Sequence, residues 1–173
     1  FFATEIAPCV GFPLGIVVAE TKELAREAAA LVDVEYEELK PVLTIKEAID
    51  AKSFLSDTFE IHRGNVDDAM KSAQFVIEGE TVTEGQDHFY LEPMSAIATP
   101  GEAGEMNILS STQNPHMTQA NVACVLGVPE NMVVSTVRRV GGGFGGKETR
   151  SVPFACAAAV AAARLRRPVR VVL

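Results

Sequence analysis

The sequence predicts an α+β fold, and three observations carry that prediction. A strand–helix–strand pattern fills residues 10–36, three strand-like runs follow one another between residues 74 and 112, and two longer helical stretches cover 115–126 and 152–165. Strand runs and helices are thus partly segregated along the chain, rather than alternating throughout as a doubly wound sheet requires.

Residues 10–19 end in a near-continuous apolar run (Leu14-Gly15-Ile16-Val17-Val18-Ala19), suited to a buried strand. Thr21 then caps a helix over 22–31 whose apolar positions Leu24, Ala28 and Leu31 share one face. Residues 32–36 alternate and read as a second strand, ended by Pro41. Thr44-Ile45-Lys46-Glu47 has capping-box spacing and starts a short helix to residue 51. Residues 52–64 show no period and read as a linker; Asn65 caps another short helix, 66–73. Strand-like runs at 74–84, 88–99 and 105–112 come next, with a Pro100-Gly101-Glu102-Ala103-Gly104 turn between the last two. In the helix at 115–126, Pro115 suits the first turn and Gly127 the C-terminal end. A strand at 132–140, the helix at 152–165 and a strand at 169–173 complete the order.

Composition removes several function classes. Of the 173 residues 47% are hydrophobic, enough for a core and against disorder. The net charge of −8 argues against a nucleic-acid partner, and no apolar run reaches the roughly 20 residues that span a membrane. Cys9, Cys124 and Cys156 are odd in number, widely spaced and in apolar contexts, which predicts buried thiols in a reducing compartment. There is no Cys-x-x-Cys pair, and His62, His88 and His116 are isolated, so neither an iron–sulfur nor a zinc signature is present. The chain opens without methionine and stops inside a strand pattern, and so reads as a piece of something larger.

The most informative stretch places five glycines in six positions, Gly141-Gly142-Gly143-Phe144-Gly145-Gly146, between a strand and a helix. Glycine admits positive φ and close approach of a ligand to the backbone, and free N–H groups converge where a loop enters a helix. Two nucleotide patterns overlie it, and both fail. The dinucleotide fingerprint lacks its acidic residue about 20 positions on, and the P-loop pattern has Glu148 where a magnesium-binding hydroxyl belongs. A tight structural turn is the plain alternative. Phe144 speaks for a pocket wall instead, being costly to expose among glycines. Glu148, expected near the helix N-terminus, could accept a hydrogen bond from a ligand N–H, or could simply pair with Lys147 or Arg150. A second marked stretch is Gly85-Gln86-Asp87-His88-Phe89-Tyr90-Leu91-Glu92. The Gln86 amide can donate and accept there, or bond its own turn, and Glu92 has solvation as its default role.

These two stretches, with Ser111-Thr112-Gln113-Asn114, together resemble the xanthine dehydrogenases, within the molybdenum hydroxylase family. The resemblance implies the C-terminal part of an α/β-hammerhead domain over 1–41, a linker over 42–64, and over 65–173 the first part of a molybdopterin-binding domain with mixed sheets and short helices. It implies a molybdenum–molybdopterin cofactor whose metal is held by a dithiolene and not by protein side chains. By position, Gln86 would bond an oxo ligand of molybdenum, Phe144 and Gly145 would lie against the metal centre and pterin with Gly143 beside them, and Glu148 would bind a purine, xanthine or hypoxanthine. An apolar residue at the place of Glu148 would mark an aldehyde oxidase instead. The resemblance also implies two 2Fe-2S clusters, FAD and NAD in the full-length enzyme. It further implies partnership with the rest of the same chain, a homodimer, and a cytoplasmic or peroxisomal location. The catalytic base is expected beyond Leu173, so this stretch alone should be inactive. The other readings are an aldehyde oxidase-type molybdenum hydroxylase and, from a different class, a non-catalytic homologue or binding module.

Overall fold

A computed structural model describes residues 2–173. In chain order the elements are α1 (Lys22–Ala30), α2 (Ile45–Asp50), α3 (Val66–Ser72), β1 (Ser95–Pro100), β2 (Met106–Ser110), α4 (Pro115–Leu126), β3 (Val133–Thr136), α5 (Val152–Leu165) and β4 (Val169–Val172). The chain forms two compact units, one of residues up to Val32 together with Gln86–Leu173, the other of Asp33–Gly85.

The first unit is built on a mixed sheet in the order β3-β2-β1-β4, with β1 antiparallel to β2 and β4, and β2 parallel to β3. Alternation along the strands sends Ala96, Ala98, Met106, Ile108, Val133 and Val169 to one face, where α4 and α5 cover them. The helical side of this core is mostly alanine: Ala155, Ala158, Ala159 and Ala162 of α5 are buried, with Val122 and Ala123 of α4 beside them. Small side chains let α5 pack close over β1, and the neighbouring aliphatic residues contribute most of the buried apolar area. Helix ends follow the sequence signals. The Asn114 side chain accepts from Met117 N at 2.9 Å, Pro115 opens α4, and Gly127 closes it in the left-handed conformation at φ 68°. Thr21 caps α1 as expected, but on the expected face Leu24 and Leu31 stay exposed and Ala28 is only half-buried, and no residue of α1 is buried.

The second unit holds α2 and α3 and, among the described residues, no strand and no buried side chain. The capping box of Thr44 and Glu47 is formed, and Asn65 caps α3. Both helices are therefore stabilised at their first turns by local hydrogen bonds rather than by tertiary packing.

Three strand expectations fail and a fourth shortens, for one physical reason. Residues 10–19, 32–36 and 74–84 belong to no sheet, and of the run expected over 88–99 only the part from Ser95 onward joins one, as β1. They carry the side-chain pattern of strands, but an extended backbone becomes a strand only with a neighbour to pair its N–H and C=O groups. Most of their apolar side chains stay at least a third exposed, Ile77 at 94%, while Met94 just ahead of β1 is buried. The strand expected over 132–140 shortens to β3, whose pairing with β2 ends at Leu109–Thr136. The expectation of three buried thiols also needs correction. Cys9 and Cys124 are exposed, and only Cys156, on the core face of α5, is buried.

Candidate functional site

The glycine loop joins β3 to α5 and is held by two oxygen acceptors from elsewhere in the first unit. One is Glu92 Oε2, which accepts from Gly141 N (2.6 Å), Ser111 Oγ (2.7 Å) and Lys147 Nζ (2.9 Å). The other is Gln113 Oε1, which accepts from Gly145 N (3.0 Å) and Lys147 N (3.2 Å). The Lys147 carbonyl accepts from Gln113 N (3.0 Å), Thr112 Oγ1 (3.1 Å) and Ser151 Oγ (2.8 Å). Lys147 is thus fastened at its backbone and at its ammonium, and its side chain is 0% exposed. Ser111 Oγ accepts from Nζ at 2.9 Å, and the Tyr90 ring lies 5.0 Å from Nζ in cation–π geometry. Desolvating an ammonium is tolerable only with such partners. The Glu92 carboxyl is correspondingly held down to about 2, first by the Gly141 N–H, then by the bonds from Lys147 and Ser111.

Backbone geometry explains the glycines. Gly142 and Gly145 both have φ of 92°, which side chains other than glycine rarely adopt. Gly143 and Gly146 are required for space instead: a Cβ on Gly143 would collide with Gln113 Oε1, and one on Gly146 would lie 2.5 Å from Tyr90 Cε1 and 2.8 Å from His88 Cγ. Phe144, with φ 51°, takes a left-handed conformation that costs a bulky residue about 1–2 kcal/mol. It is nonetheless 75% exposed, its ring turned outward from the core. The N–H groups of Gly142, Gly143 and Phe144 have no hydrogen-bond partner among the described residues.

Of the residues singled out from sequence, Phe144, Gly143 and Gly145 lie in this loop. His88, Tyr90 and Glu92 of the second marked stretch pack against it. Gln86 is exposed, and its amide bonds no described residue. Glu148 is exposed with its carboxylate unpartnered among the described residues; only its backbone N–H is used, donating to the Gly145 carbonyl at 3.2 Å. It sits in the turn before α5 rather than in that helix's first turn, and Lys147 pairs with Glu92, not with Glu148. Glu92 is therefore no solvated bystander. It and Gln113 are the residues that sequence reasoning undervalued, although both lie in marked stretches. The usable signal was the acid Glu92 closing one marked stretch and the lone lysine Lys147 closing the other. Beside the clamp, the helix-free face of the sheet carries a cavity of about 360 Å³ over Ile97 and Leu109, rimmed by Arg138, Arg139 and Arg170.

Residues 49–173 match the family model of the molybdopterin cofactor-binding domain, and residues 1–40 match that of the aldehyde oxidase and xanthine dehydrogenase a/b hammerhead domain. The chain belongs to the molybdenum hydroxylase family. Among its curated relatives are xanthine dehydrogenases of Emericella nidulans (51% identity over 100% of this chain) and Arabidopsis thaliana (49% over 99%), and the xanthine dehydrogenase/oxidase of Gallus gallus (47% over 99%). The chain spans 13% of the length of each. Among solved molybdenum hydroxylase structures, quinoline 2-oxidoreductase from Pseudomonas putida 86 superposes with a TM-score of 0.75 at 27% identity, over 90% of this chain and 21% of that one. Aldehyde oxidoreductase from Desulfovibrio gigas does so with a TM-score of 0.67 at 27% identity, over 90% and 18%. The α+β architecture read from the sequence is that of the molybdopterin cofactor-binding domain.

Proposed function

We propose that this chain forms one wall of the molybdenum–molybdopterin site of a xanthine dehydrogenase, which hydroxylates hypoxanthine and xanthine to urate with oxygen from water. The observation that carries the reading is the glycine loop. It is clamped at both ends, yet it leaves three successive N–H groups, Gly142 to Phe144, unpaired beside an outward phenylalanine. Unpaired donors on a fixed backbone suit a polar cofactor that brings its own metal ligands. Among the described residues no group of three or more His, Cys, Asp or Glu could hold a metal ion, and a dithiolene-held metal needs none. The bound group supplies the redox centre at which a purine ring carbon is hydroxylated.

In this reading the chain's own residues bind and orient. Backbone around Gly143 and Gly145 would meet the cofactor, Phe144 would flank its metal and exclude water, and the Gln86 amide, able to donate and accept, would hold the group by hydrogen bonds. Glu148 accepts hydrogen bonds from purine N–H groups, and an unpartnered carboxylate beside the loop is the chemistry for that. Residues 1–41 end a hammerhead domain, 42–64 link it to the next, and 65–173 begin the cofactor domain. The catalytic base, the 2Fe-2S clusters and FAD belong to the rest of the enzyme, so the stretch is inactive by itself. The whole enzyme is read as a homodimer of the cytoplasm, with a peroxisomal location as the alternative.

The likeness to quinoline and aldehyde oxidoreductases at 27% identity supports a second reading, a molybdenum hydroxylase of another substrate. Glu148→Val in the full-length protein separates the two. Xanthine turnover should fall by about a hundredfold, the loss of one hydrogen bond to a charged group, while aldehyde turnover and molybdenum content hold. Unchanged purine kinetics would overturn the purine role of Glu148.

A further inference from the structure

One atom, Glu92 Oε2, fastens both ends of the glycine loop. It bonds Gly141 N at the start and Lys147 Nζ at the finish, with Ser111 Oγ as its third donor. The three hydrogens of the Lys147 ammonium face Glu92, Ser111 and the Tyr90 ring, and no part of that side chain reaches solvent. A buried ammonium without its carboxylate is strongly unfavourable. Closing the loop and pairing this charge are therefore one event. Gln113 Oε1 adds a second anchor at Gly145 and Lys147, which leaves 142–144 as a taut arc. Phe144 keeps its left-handed φ of 51° in that arc, a conformation that persists only where surrounding contacts over-determine it.

We propose that Glu92 and Lys147 are positioning residues whose ion pair presets the glycine loop, with Phe144 outward and the 142–144 N–H groups free, before any cofactor arrives. This rests on the reading of the loop as a cofactor wall. A preset wall spares the ligand the cost of ordering it. Neither side chain is needed as a contact to cofactor or substrate.

The test uses the full-length protein in cofactor-free and loaded forms. Amine-reactive ester labelling, mapped peptide by peptide, compares Lys147 with the exposed Lys46, and molybdenum and pterin content are measured in parallel. Wild-type Lys147 should label at least tenfold more slowly than Lys46 in both forms. Glu92→Gln keeps the shape and an acceptor for Gly141 but removes the charge; it should raise Lys147 labelling about tenfold in the cofactor-free form and lower cofactor occupancy severalfold. Glu92→Asp, which restores the charge, should recover at least half of that occupancy. Ile108→Val weakens the core away from the loop and should leave Lys147 labelling unchanged, which distinguishes positioning from general destabilisation. Lys147 labelling as fast as Lys46 in cofactor-free wild type, or Glu92→Gln unchanged in both labelling and occupancy, would overturn the proposal. Should Glu92→Gln fail to fold, wild-type labelling and Ser111→Ala, with an intermediate effect expected, decide it. A protected Lys147 in wild-type protein that takes up neither molybdenum nor pterin when both are supplied would overturn the cofactor reading and leave the clamp standing.

Discussion

Glu92 and Lys147 stand 55 residues apart in the chain and 2.9 Å apart in space, and their pair closes the loop on which the candidate site is built.

The pair makes stability depend on acid. The Glu92 carboxyl lies at about 2 in the folded protein against an ordinary value of 4.5. A lowered folded value means that the native state binds fewer protons than the unfolded one across that interval. The stabilisation is therefore complete above pH 4.5 and drains away as pH falls toward 2. Melting temperature measured from pH 6 to pH 2 should fall more steeply in wild type than in Glu92→Gln. Parallel curves would refute the assignment. Because the Glu92 side chain is 39% exposed, added salt should shrink the difference.

Lys147→Met keeps the volume of the buried stem and removes the charge. Glu92 then loses one donor while Ser111 loses its ammonium bond. A loss of about 2–3 kcal/mol is expected, toward the low side for breaking a buried pair because Glu92 can recover water. Urea denaturation reads it, and a loss below 0.5 kcal/mol would show that the pair is dispensable.

Gly146→Ala and Gly145→Ala separate two reasons for glycine. At Gly146 an added Cβ collides with Tyr90 and His88, an overpacking cost of about 1–3 kcal/mol. At Gly145 there is space, with His88 Nε2 3.9 Å away, and the cost of about 1 kcal/mol comes from φ. Adding Tyr90→Ala should relieve part of the first and none of the second. Equal behaviour in both backgrounds would exclude the steric account.

Thiol chemistry should split the cysteines. Burial pushes the Cys156 thiol up to about 11, so little thiolate exists there at neutral pH. Native protein should take up a maleimide at Cys9 and Cys124 and at Cys156 only after unfolding. Modification of all three at one rate would mean that Cys156 is not buried on the core face of α5 as described.

How much was legible depended on the range of the interactions. Helix ends read well, because Thr21, Thr44, Asn65 and Gly127 act on their own first or last turns. Strands read poorly, because alternation specifies a face but not a partner, and residues 74–84 have the face without the partner. In the site, the glycine run and Phe144 stood out locally. The clamp did not, since Glu92, Ser111, Gln113 and Lys147 look like ordinary surface polar residues until the fold brings separate segments together. A lysine after a glycine loop suggested phosphate; its burial against a carboxylate 55 residues earlier is a tertiary fact.

The alanine-rich underside of α5 has a consequence beyond the core. Ser151, just ahead of that helix, donates to the Lys147 carbonyl, while Ala155 and Ala158 below it rest with the strand residues Ala96 and Ala98 in one core. The separation between helix and sheet thus sets the height of the loop's last residue. A single methyl group added deep in this layer, far from any ligand, would lift the rim of the site, so the thinnest part of the core doubles as its calibration.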